Sequence, residues 1–111
     1  MRGRRRRSKK DNSGETSRLA AIADAQTAAD TAARLARECT SWATSAGVGE
    51  DDAAEVVFAA LRAREAAEEA GRARTADDAW EWSRQAWAAV SSAQEADARI
   101  NAAIVDDMMA A

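Results

Sequence analysis

From Thr75 to Ala111 the chain runs without a glycine or a proline. Nothing in that stretch interrupts a helical hydrogen-bond ladder. Thr75, with Asp78 three residues on, has the spacing of a capping box in which Asp stands for the usual Glu or Gln. Two apolar rows follow at helical spacing. One is Trp80, Ser83, Trp87 and Val90; the other is Trp82, Ala86, Ala89, Ala93, Ala96, Ile100 and Ala103. Together they make a face wide enough to meet two partner helices.

The partners are legible upstream. Taking Ile22 as position a of a heptad, a holds Ala29, Ala36 and Ala43, and d holds Ala25, Ala32, Cys39 and Ala46. Position g holds Ala21, Ala28, Leu35 and Trp42. The opposite face carries Asp24, Thr27, Asp30, Arg34, Arg37 and Glu38, so this is a core-facing helix whose small residues admit a close neighbour. Gly47 suits a left-handed C-terminal cap, and Gly49 completes the reversal. Glu50, Asp51 and Asp52 open the next helix, where acids favour the positive end of the helix dipole. Its seam is Ala53, Val56, Ala60, Ala63, Ala67 and Ala70, while Ala54, Phe58 and Leu61 lie on another side. Its first half is therefore apolar nearly all round, as in a central or partner-binding helix.

Short connections make antiparallel neighbours. The expected fold is all-α: an antiparallel, up-down-up three-helix, alanine-rich, coiled-coil-like bundle with a disordered basic N-terminal arm. Arm and hinge take residues 1–16 and the bundle 17–111, with helices at about 17–46, 50–70 and 76–109. Matching heights across the turns places Leu35, Leu61 and Trp87 in one layer and Trp42 near Val56. The last helix then projects past its neighbours from about residue 98, exposing Ile100, Ile104, Val105, Met108 and Met109.

Alanine supplies roughly three residues in ten, far above ordinary usage. It is the best helix former but buries little area. A 111-residue chain with so thin a core is a candidate for self-association or for a helical protein partner. Trp80, Trp82, Ile100, Ile104 and Met108 are the candidate partner interface, aromatic side chains with a nearby arginine being typical of interface hot spots. Trp80 and Arg84 are spaced for a cation–π contact.

The charge is segregated. Arg2, Arg4, Arg5, Arg6, Arg7, Lys9 and Lys10 give residues 2–10 a charge of +7, and no acid lies among them. The other nine of the 16 basic residues face all 19 acids, so the remainder carries 9 − 19 = −10. A block of like charge suits an electrostatic arm for nucleic acid or an anionic surface, sequence-independent because no aromatic is interleaved for base stacking. Its bland alternative is a solubilising tail.

Enzyme chemistry has little to stand on. The chain has no histidine and one cysteine, so Ser-His and Cys-His pairs, mixed zinc sites and the Glu-x-x-His of di-iron bundles are all excluded. Acid doublets such as Asp51–Asp52 point about 100° apart on a helix and do not converge on one ion. No catalytic, cofactor or metal residues are expected. Cys39 lies on the apolar seam, as a buried small hydrophobe or as half of an interchain disulfide. An acidic body and long helices disfavour a helix-turn-helix DNA reader. No apolar segment follows the basic residues as in a signal peptide, and no run is long enough to span a bilayer, so a cytoplasmic location is expected. The sequence thus points to a non-enzymatic helical interaction or scaffold protein. The alternative is a nucleic-acid-associated accessory protein acting through its basic arm.

Overall fold

The computed structural model describes the backbone of residues 2–110 and the side chains of residues 13–110. The elements are α1 (Arg2–Ala46), α2 (Glu50–Arg72) and α3 (Ala76–Ala110), and no strand occurs among the described residues. The cationic side chains Arg2, Arg4, Arg5, Arg6, Arg7, Lys9 and Lys10 lie outside the described residues; the backbone that carries them, expected as a disordered arm, is continuous with α1. Ser13 to Thr16, expected as a hinge, are already helical. There Glu15 accepts a hydrogen bond from Arg18 Nε at 3.0 Å.

Bonds between helices fix the topology. Along α1 and α3 partner numbers rise together: Trp80 bonds Ser17, Trp87 bonds Asp24 and Asp97 bonds Cys39. These two helices are parallel. α2 runs the other way, since Asp52 near its start pairs with Arg99, while the carbonyl of Ala73 beyond its end accepts from Arg18. The up-down-up bundle follows.

The turns obey local rules. Gly47 (φ 70°) and Gly49 (φ 78°) both adopt the left-handed conformation, which costs glycine no Cβ clash. The Gly47 N–H closes α1 on the carbonyl of Ala43 at 2.8 Å. Gly49 also permits close packing, because a Cβ there would stand 3.3 Å from the side chain of Ile100. Thr75 caps α3 by accepting the Asp78 N–H on its hydroxyl at 3.2 Å.

The core is almost wholly alanine. One cluster joins Ala25, Ala28, Ala29 and Ala32 of α1 to Ala63, Ala66, Ala67 and Ala70 of α2 and to Ala86, Ala89 and Val90 of α3. The other, nearer Gly47–Gly49, contains Ala36, Cys39, Ala43, Ala53, Val56, Ala59, Ala93, Ala96 and Ile100. The a and d rows of α1 are inside as expected, apart from half-buried Ile22 and Ala46, whereas position g drifts outward until Trp42 is 64% exposed. An α-helix turns 3.6 residues per turn and not 3.5, so a strict heptad row slides around the surface.

Two expectations about height are corrected. Trp87 bonds Asp24 and does not layer with Leu35, which packs on the cluster containing Ala93 and Ala96. Trp42 is exposed while Val56 is fully buried, so the two do not meet as a core pair. The cause is the second connection. Ala73 is extended (φ −63°, ψ 135°), which carries the chain onward along the bundle axis before α3 begins. By the Cys39–Asp97 pair, α3 is set back about six residues, nearly two turns, from the expected height. Ile100, expected beyond the bundle, is 1% exposed and packed inside it. Only the turns after half-buried Ile104 project.

Candidate interaction surface

Polar ties hold α1 to α3 on the side where Trp80 and Trp87 lie. Asp24 Oδ2 accepts from Ser83 Oγ at 2.6 Å and from Trp87 Nε1 at 2.9 Å. Ser83 is 1% exposed, so its hydroxyl depends on that carboxylate. Trp80 Nε1–H donates to Ser17 Oγ at 2.9 Å. Trp80 is thus a half-buried tie within the chain, and Arg84 directs its guanidinium to Glu81, with Nε at 3.1 Å from the carboxylate. Among the described residues every buried side-chain nitrogen and oxygen has a partner.

Cys39 is buried between α1 and α3, and its thiol donates to Asp97 Oδ1 at 2.9 Å. Burial pushes the thiol pKa up to about 12, and the Asp97 hydrogen bond and charge push the same way. This is an inert, protonated thiol and not a nucleophile. A second chain's cysteine does not reach it while α1 and α3 stay together.

Apart from Val56, Val90 and Ile100, the large apolar side chains are half-buried or exposed. Val57, Phe58 and Leu61 form a patch on the outer side of α2, with Phe58 60% exposed. Val57 and Leu61 border the α1/α2 groove beside Ala33 and Ala36; Phe58 borders the α2/α3 groove beside Ser92 and Arg99. Trp82 is partly exposed, as expected of the edge of the wide face, over a groove with Arg62, Glu69, Arg72 and Gln85. At the projecting end Val105, Met108 and Met109 are exposed, Met108 by 71%. Of the candidate interface residues, then, Trp82 and Met108 are accessible, Trp80 and Ile104 are half-buried, and Ile100 is core. Sequence reasoning missed Trp42 and Phe58 as surface features, having read them as core and as a second row.

Arg99 ties α2 to α3 by pairing with Asp52 at 2.9 Å and with Glu55. No three His, Cys, Asp or Glu side chains among the described residues are grouped as metal ligands, and no helix there is long and apolar enough to cross a membrane. Comparison of the chain with protein-family models, with curated proteins and with solved structures gives no match.

Proposed function

We propose that this chain is a non-enzymatic helical interaction protein that self-associates or binds a helical partner. One observation carries the reading: side-chain size is inverted between inside and outside. Alanine fills the core while Trp42, Phe58, Leu61, Val105, Met108 and Met109 face solvent. Apolar groups of that size gain free energy when covered, at about 25 cal/mol per Å², and their exposure on one small bundle favours association. The single cysteine, a free thiol, accords with a reducing cytoplasm.

Light scattering across concentration tests this reading on the full chain and on a Phe58→Ser, Leu61→Ser double variant. The expected result is a mass above monomer that falls in the variant. A monomer at every concentration that also retains no helical partner sinks the reading.

The seven cationic residues within 2–10 favour a second reading, a nucleic-acid-associated accessory protein whose bundle presents the arm. DNA affinity should then fall steeply with salt and vanish when residues 1–10 are removed. Absence of binding at low salt removes it.

A further inference from the structure

We propose that the projecting end of the α1/α3 groove is a docking site for a cationic amphipathic helix. This rests on the interaction-protein reading and names the kind of partner. The row of α3 that faces α1 through Trp80, Ser83, Trp87 and Asp97 continues at helical spacing through Asn101, Ile104 and Met108. α1 ends at Ala46, so the last part of that row has no helix beside it. On the α1 side the row through Cys39 continues to Trp42, which is 64% exposed. The Cys39–Asp97 pair puts Trp42 level with about residue 100, eight residues before Met108. The strip is therefore roughly 12 Å long at 1.5 Å per residue, a length that two to three turns of a ligand helix cover.

Charge selects the occupant. Residues 38–61 and 100–110 contain Glu38, Glu50, Asp51, Asp52, Glu55, Asp106 and Asp107, and no lysine or arginine. Arg99, at one border, is paired with Asp52 and Glu55 on the α2 side, and Arg37, at the other, borders the α1/α2 groove, so the charge around the strip rests on Glu38, Glu50, Asp51, Asp106 and Asp107. An apolar strip with such a rim repels an anionic bilayer. It also repels the same end of a second copy, which would set acid against acid. It attracts a helix carrying apolar residues on one face and Lys or Arg on the other. Methionine accepts varied apolar shapes, and Trp42 offers a ring face to a cation.

The test titrates the full chain with a 14-residue leucine–lysine peptide whose leucines recur at helical spacing. Controls are a scrambled peptide of the same composition and a leucine–glutamate peptide. Calorimetry gives stoichiometry, and the difference in emission between the full chain and Trp42→Phe reports the site. The expected result is one peptide per chain, a blue shift assigned to Trp42, and at least tenfold weaker binding of either control. Met108→Ser with Met109→Ser, and separately Asp106→Lys with Asp107→Lys, should each weaken binding about tenfold while circular dichroism stays unchanged. No binding, equal binding of the scrambled peptide, or unchanged binding in the methionine variant overturns the proposal. Light scattering on the same samples separates the two conclusions. A chain that self-associates yet ignores the peptide overturns this inference alone; one that stays monomeric and binds neither the peptide nor any other helical partner overturns both.

Discussion

The two halves of the bundle are held by different means. In the half nearer Thr75 the cluster is alanine apart from Val90, and polar bonds supplement it: Asp24 to Ser83 and Trp87, Ser17 to Trp80, and Arg18 to the Ala73 carbonyl. In the half nearer Gly49 the cluster includes Val56, Cys39 and Ile100, among the largest fully buried side chains of the protein. Alanine buries little area, so the first half has little hydrophobic stabilisation and depends on directional bonds. The second half has more apolar burial, and its inter-helix pairs through Arg99 are exposed and weak. A thin core does not imply a loose one; hydrogen bonds fix what dispersion alone holds poorly.

Mutations should separate the halves. The largest effect is expected at Ile100→Ala, where loss of a fully buried side chain against Gly49 costs about 2–5 kcal/mol, read by urea denaturation. A loss under about 1 kcal/mol would erase the distinction drawn for that half. Next comes overpacking of the alanine seam. Ala63→Leu, at a position with no exposure, should destabilise by about 1–3 kcal/mol because no void awaits the added atoms. In the polar half, Asp24→Ala strands the buried Ser83 hydroxyl and should cost about 1–3 kcal/mol, with a change in Trp87 emission. Asp24→Asn should cost less, since its amide oxygen still accepts.

Alkaline pH acts on the other half. Cys39 ionises near 12 in the folded chain against an ordinary 9.0. Between those values the unfolded chain has lost the proton and the native one keeps it, so stability falls as pH rises, at no more than about 1.4 kcal/mol per pH unit. Cys39→Ala should flatten that slope in denaturation series between pH 8 and 11; an unchanged slope places its source elsewhere. The smallest effect belongs to the projecting turns. Met108→Ser should alter stability by less than about 0.5 kcal/mol.

Much of this was legible in the residues. Helices, turns, caps and most of the alanine seam follow from periodicity and from Gly47, Gly49 and Thr75, since those signals are local. The relative heights were not, because residue counting across a turn takes no account of its conformation, which here includes an extended Ala73. Asp24 reads as a solvated acid and Asp97 belongs to neither apolar row, yet each accepts a bond from a buried group. Ser83, a polar residue within an apolar row, was the available sign that some acceptor must reach inward. Ala59, Ala66 and Ala79 are buried although no single seam includes them, because α2 and α3 each face two neighbours. Of the candidate interface, Trp82 and Met108 follow from their place at the rim and at the projecting end. Ile100 fails with the register error.

An alanine seam has a further property: its repeats are nearly interchangeable. Sliding α1 along α3 by two turns would lay one methyl on another with little change in buried area, so packing alone barely chooses among alignments. The unique partners make the choice. Asp24 meets only Ser83 and Trp87, and Ile100 fits only beside the bare backbone of Gly49. A handful of unlike side chains therefore selects one alignment from several almost equal ones, much as a few notches index an otherwise smooth rack.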